Sequence, residues 1–201
     1  MRISWAQLTQ DILACAACPL HEGITNKVPG QGDAHAPMML IGEGPGQQED
    51  RQGLAFVGPA GQLLTRMLAA ISLPRERVFI GNVVKCRPPM NRVPEPAEMA
   101  ACLPHLRAQV ALIRPKVILL LGSTAVRAVL GDEYRITRCH GQWFERKGVW
   151  IIATYHPSAL LRDESKKRVA WDDLKRVREK LMELGLYADL YQGEESDGRK
   201  E

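Results

Sequence analysis

The sequence has no run of 18 or more apolar residues, which excludes a membrane-spanning helix. Met1 to Ala14 carry Gln7, Gln10 and Asp11 where a secretory signal needs an apolar stretch. No signal is therefore expected, and a cytoplasmic, reducing compartment is. The Lys-Ser/Thr of a P-loop and the Gly-x-Ser-x-Gly elbow of a serine hydrolase are both missing. No internal repeat or linker divides the 201 residues, so the length predicts one domain over 1–187. Residues 188–201, with five acids against two bases, read as a disordered acidic tail. Cysteine is scarce, at five residues, and in a reducing compartment so few argue for metal or catalysis over disulfides.

Charge of either sign is also modest, with a net of +4. Setting the acidic tail aside leaves the body at +7. A basic body suits a polyanion such as nucleic acid, without deciding the matter.

What is present is an alternation of apolar strands and amphipathic helices. Strands are expected at Met38–Ile41, Val78–Ile80, Val117–Leu121 and Val149–Ala153. Helices are expected near 3–14, 61–71, 97–113 and 164–184, with a short one between Gly122 and Gly131. This order predicts an α/β fold of three layers around a central four-stranded, mainly parallel sheet.

The first strand runs into Gly42-Glu43-Gly44-Pro45-Gly46-Gln47-Gln48-Glu49-Asp50, at the sheet edge where α/β proteins bind ligands. Pro45 removes an N–H donor, and Glu43, Glu49 and Asp50 would repel phosphate. The loop therefore suits carboxylates held beside a substrate. Phe56, in a Gly- and Pro-flanked loop, is either a core plug or a plate for stacking a base. Asn82 is either a turn cap or a base-reading amide, and His156 either a hydrogen-bonded surface residue or part of the same strand-end group. Cys15-x-x-Cys18, closed by Pro19, offers two thiolates from one turn. Cys86 and Cys102, with fifteen residues between them, complete a four-thiolate set that zinc and an iron–sulfur cluster can both use. Cys139 is left as a structural thiol.

Taken together, Gly42-Glu43-Gly44-Pro45-Gly46 with Glu49-Asp50, Phe56-Val57-Gly58, Asn82 through Pro89 and His156-Pro157-Ser158 resemble the family-four uracil-DNA glycosylases. The resemblance covers roughly residues 4–184 in one order. It implies an α/β/α sandwich and a 4Fe-4S cluster on Cys15, Cys18, Cys86 and Cys102. It also implies excision of uracil from DNA by hydrolysis of the glycosidic bond. Phe56 would stack on the flipped base, Asn82 would pair with its polar edge, and His156 would stabilise charge on uracil O2. Glu49 would position water, with Asp50 the next candidate, while Glu43 and Gly44 would line the pocket floor. Leu160, Leu161 and Arg162 resemble the intercalating loop, with Lys166 and Lys167 as further phosphate contacts and Lys85, Arg87 and Arg92, near the cysteines, as a second contact to the DNA backbone. The partner so implied is uracil-containing DNA, with contacts to other repair or replication proteins left open; a monomer is expected because the sequence shows no obvious dimer helix. A related group that becomes covalently trapped on DNA bears a histidine-containing insert after the third cysteine; Met90 to Glu95 contain none, which favours turnover. A non-catalytic iron–sulfur DNA-binding or redox-sensing module is the rival from another class.

Overall fold

The computed structural model describes residues 4–190. Its sheet has six strands: β1 Gln31–Gly32, β2 Met38–Gly42, β3 Phe79–Asn82, β4 Val117–Leu121, β5 Trp143–Arg146 and β6 Val149–Thr154. They lie in the order β1-β3-β2-β4-β6-β5. The four inner strands are the expected ones and pair in parallel. The expected count of four is corrected by two antiparallel edge strands. β1 has only two residues, too few to show a period, and β5 sits in the turn-rich segment before the Lys147-Gly148 turn, where both residues have positive φ.

The helices are α1 Trp5–Ala14, α2 Gln47–Gln52, α3 Pro59–Ala70, α4 Pro96–Ile113, α5 Ser123–Val129, α6 Ile136–Cys139, α7 Pro157–Arg162, α8 Ser165–Glu183 and α9 Tyr187–Leu190. Local chemistry starts several of them. The Ser4 hydroxyl accepts from the Gln7 N–H to cap α1, and Pro59, Pro96 and Pro157 open their helices, where a missing N–H costs nothing. α9 takes up residues 188–190 of the expected tail and buries Leu190. The rest of that tail, 191–201, lies outside the described residues.

Every position of β2, β3 and β4 is buried, as strands covered on both faces require. Alternate residues divide between two cores. Met38, Leu40, Val117 and Leu119 pack with Leu64 and Leu68 of α3 and Leu174, Val177 and Leu181 of α8. Met39, Ile41, Ile118 and Leu120 pack with Leu106 and Ile113 of α4 and Val126 of α5. The three-layer architecture follows directly from that period of two. It also brings the carboxyl ends of β2, β3, β4 and β6 to one edge, with Gly42 opposite Asn82 and Leu121 opposite Thr154.

Candidate active site

A cleft of about 880 Å³ opens at that edge, and Glu43, Gly44, Glu49, Phe56, Asn82, Asn91, Tyr155, His156, Leu161 and Arg162 are among the residues lining it. The glycine-rich loop ends in α2, which presents Glu49. One carboxylate oxygen of Glu49 accepts from the backbone N–H groups of Val57 (2.8 Å) and Gly58 (2.7 Å), and the other from Gly46 (3.1 Å). A carboxylate has about four acceptor positions, so one remains for a water or a substrate. A Cβ on Gly46 would stand 2.8 Å from this carboxylate, and one on Gly58 3.2 Å. The glycines are there so that backbone can close around an acid.

Asp50 takes a different course. It is buried, its side chain accepts from the N–H groups of Thr25 (2.9 Å) and Asn26 (3.3 Å), and it is not among the cleft residues. Consecutive helix residues point about 100° apart, so Glu49 and Asp50 cannot share a site. The structure leaves Asp50 as a staple between α2 and the loop before β1, not as a second water-positioning acid.

Phe56 holds a positive φ of 53°, and a Cβ on Gly61 would collide with its carbonyl at 1.9 Å. A Cβ on Gly42 would stand 2.5 Å from both the Phe56 ring and the Asn82 side-chain oxygen. Two glycines thus make the space in which an aromatic face and an amide meet. The Asn82 Oδ1 is buried without a hydrogen-bond partner. An unsatisfied buried acceptor costs about 1–3 kcal/mol, so its neighbourhood asks for a donor.

His156 caps α7. Its Nδ1 accepts from the Ser158 N–H (3.2 Å) and lies 2.8 Å from the Ser158 hydroxyl. A backbone N–H can only donate, so Nδ1 is the acceptor and the ring proton sits on Nε2. Burial, reinforced by the charge of Arg162, pushes the His156 pKa down to about 4. The ring is therefore neutral at ordinary pH and faces the Phe56 ring at 5.7 Å. Glu43 is held by the Thr124 hydroxyl at the start of α5, and Gly44 packs where a Cβ would meet Val84 at 2.7 Å.

The expected DNA-contacting group divides. Leu160 is 2 % exposed and belongs to the core under α3 and α8, whereas Leu161 is 47 % exposed at the cleft rim. Only Leu161 can act as a wedge; Leu160 is a packing residue. Arg162 lines the rim, exposed. Lys166 pairs with Asp163 at 2.8 Å and lies over the Tyr155 ring, and Lys167 pairs with Glu164. Arg87 donates to the Asn91 side chain at 2.7 Å. These three cations are already partnered within the chain. Asn91, Thr124 and the capping part of Ser158 were not singled out from sequence; the Ser two residues after His156 is the one local signal that pointed to a cap.

Cys15, Cys18, Cys86 and Cys102 line a second, small cavity with Ile12, Ala17, His21, Lys85, Ala101 and His105. Cys15 and Cys18 follow α1, Cys86 follows β3, and Cys102 lies within α4. Burial and the neighbouring thiols push Cys86 up to about 12, and burial raises Cys102. Such thiols ionise only beside strong positive charge. The Lys85 N–H donates to Cys102 Sγ at 3.3 Å. Among the described residues no three His, Cys, Asp or Glu side chains stand close enough together to hold a single metal ion. The four thiols that share this cavity are the donor set that an iron–sulfur cluster or a zinc ion would use. Cys139, buried at the end of α6, stands apart from them.

Comparison with known proteins agrees with this geometry. The family model described as "Uracil DNA glycosylase superfamily" matches residues 29–175. The chain is 44 % identical over 177 residues to the "Type-4 uracil-DNA glycosylase" of Thermotoga maritima, covering 85 % of this chain and 91 % of that protein. It is 42 % identical over 180 residues to the protein of the same name from Archaeoglobus fulgidus, covering 86 % and 90 %. For the one from Sulfurisphaera tokodaii the identity is 40 % over 185 residues, covering 88 % and 84 %.

Proposed function

This chain belongs to the uracil DNA glycosylase superfamily and, within it, to the type-4 uracil-DNA glycosylases, and from that premise we propose how its residues act. The protein is a DNA repair glycosylase that releases uracil and leaves an abasic site. The observation that carries the assignment of roles is the unpartnered Asn82 oxygen, buried where it and the Phe56 ring both close on Gly42. An acceptor in that position suits the N3–H of uracil, with the amide NH₂ left for O4. Cytosine offers an acceptor at N3 and a donor at C4, the reverse pattern.

Deoxyuridine enters the cleft by flipping out of the stack. Phe56 covers one face of the ring. As the C1′–N1 bond breaks, its electron pair passes to the uracil ring and charge builds on O2. The His156 Nε2–H donates to that oxygen and keeps its proton, since the ring is a neutral donor. A preorganised donor of this kind contributes about 2.7–4 kcal/mol. Glu49 uses its remaining acceptor position to hold the water that attacks C1′, and takes up the proton that water releases. Glu43 and Gly44 close the floor of the cleft. Leu161 fills the space left in the stack, and Arg162 meets phosphate.

Cys15, Cys18, Cys86 and Cys102 would hold a 4Fe-4S cluster, which when bound supplies iron–thiolate bonds that tie α1, the end of β3 and α4 together. The reading is of a cytoplasmic monomer acting on uracil-containing DNA; no helix among the described residues is long and apolar enough to cross a membrane. Single-turnover reaction with a uracil-containing duplex and a thymine control, followed by alkaline scission, tests it. Cleavage only at uracil supports the reading. Intact DNA from protein that carries its iron would overturn it in favour of a binding module.

A further inference from the structure

The thiol site and the cleft meet at one side chain that the mechanism above leaves unused. Lys85 is 2 % exposed, an unusual place for a lysine. Both of its main-chain groups are engaged, the N–H with Cys102 Sγ (3.3 Å) and the carbonyl with the Val28 N–H (2.8 Å). Its side chain turns back along the end of β3. There Nζ donates to the main-chain carbonyl of Asn82 (2.7 Å) and to Gln109 Oε1 (2.6 Å). Gln109, buried in α4, is itself anchored by donating to the Pro29 carbonyl at 2.6 Å.

Among the described residues no carboxylate pairs with this ammonium. Its two acceptors are neutral, and Lys85 lines the same small cavity as the four cysteines. A buried cation without an anion nearby is costly. A cluster held by four thiolates would carry net negative charge, and Cys102, one of those four thiols, accepts from the Lys85 N–H. The residue that Lys85 grips is Asn82, whose side-chain oxygen waits without a partner in the cleft.

We propose that Lys85 is a positioning residue for uracil recognition: its ammonium clamps the Asn82 peptide so that the amide faces the base, and the iron-loaded thiolates are its counter-charge. The inference rests on the uracil-excision reading and extends it, because it makes the cluster an electrostatic support for base reading as well as a structural tie. Removing the ammonium should loosen Asn82 while leaving Phe56, His156, Glu49 and the DNA-contacting rim in place.

The test compares Lys85→Met with wild type in iron content and in affinity for two duplexes. One carries 2′-fluoro-deoxyuridine, which resists hydrolysis, and the other an abasic analogue at the same position. The expected result is wild-type iron content, faster loss of iron to a chelator, and unchanged affinity for the abasic duplex. The preference for the uracil duplex should fall about five- to tenfold, the value of one well-placed hydrogen bond. An unchanged preference in iron-loaded Lys85→Met protein overturns the proposal. Should that variant lose its iron, Gln109→Met decides, since it removes one partner of the ammonium without touching the cysteine loops. A reduced preference with iron intact then supports the clamp, and an unchanged one overturns it. Wild type that shows no preference for the uracil duplex overturns the uracil reading itself, a failure distinct from the clamp's.

Discussion

The cleft and the thiol site lie in one small fold, yet they are built on opposite principles. In the cleft, glycines at positions 42, 46 and 58 let backbone approach polar side chains closely, and N–H groups of the main chain hold Glu49 and His156 in single poses. One polar atom, Asn82 Oδ1, is left without a partner. In the thiol site the four cysteines share their cavity with Ile12, two alanines, two histidines and Lys85, and thiols are suited to bonds with metal. The first region keeps bonding capacity in reserve, at some cost to stability. The second commits all of its capacity to holding elements together. Substitutions in the cleft should therefore cost rate more than stability, and substitutions among the cysteines should do the reverse.

The sharpest test of that contrast is His156→Ala. It removes the donor to O2 and should lower the single-turnover rate of uracil release by about 10²–10³, with a melting temperature within a few degrees of wild type. A loss of stability matching the loss of rate would break the comparison. Cys102→Ser comes next. Loss of one thiolate should release iron and lower the melting temperature by about 10 °C, as expected for removal of several kcal/mol from a domain of this size, read by thermal unfolding beside iron assay. A stable variant without iron would show that the metal is not the tie.

Acid should separate the two regions as well. His156 titrates near 4 in the folded chain, below its ordinary 6.5, so the folded state binds fewer protons than the unfolded one in that interval. Its contribution is fully present above about 6.5 and is lost as pH falls towards 4, with a maximum loss of about 3 kcal/mol. Ring titration by NMR should find the midpoint near 4, and the rate of excision should show no inflection from His156 near 6.5. The smallest effect comes from two adjacent leucines. Leu161→Ala should lower duplex excision about threefold to tenfold while sparing single-stranded substrate, since only a duplex leaves a gap to fill. Leu160→Ala should instead cost about 2–5 kcal/mol of stability and leave the duplex-to-single-strand ratio unchanged.

The cysteine set was legible because cysteine is scarce and the Cys15–Cys18 pair is local. The inner strands were legible because apolar runs of three to five residues, each followed by a turn or helix signal, leave few alternatives. The short elements were not. In the six-residue α7, sequence could not fix which of Leu160 and Leu161 faces the core. The resemblance ranked Glu49 ahead of its neighbour Asp50, but only the phase of α2 shows that one goes to the cleft and the other to Thr25 and Asn26. Lys166 and Lys167 looked like free cations because their partners Asp163 and Glu164 act only once a helical turn brings them together. The importance of Asn82 lies in having no partner, which no sequence pattern displays.

That same lone oxygen bears on turnover. The edge of uracil proposed to pair with Asn82, an N–H flanked by carbonyl groups, survives cleavage intact, so the released base carries the same recognition features as the bound nucleotide. Free uracil should therefore occupy the cleft in competition with DNA, and any small cyclic imide of similar outline should act as a reversible inhibitor. A catalyst that recognises its target by the part it discards is subject to feedback from its own waste.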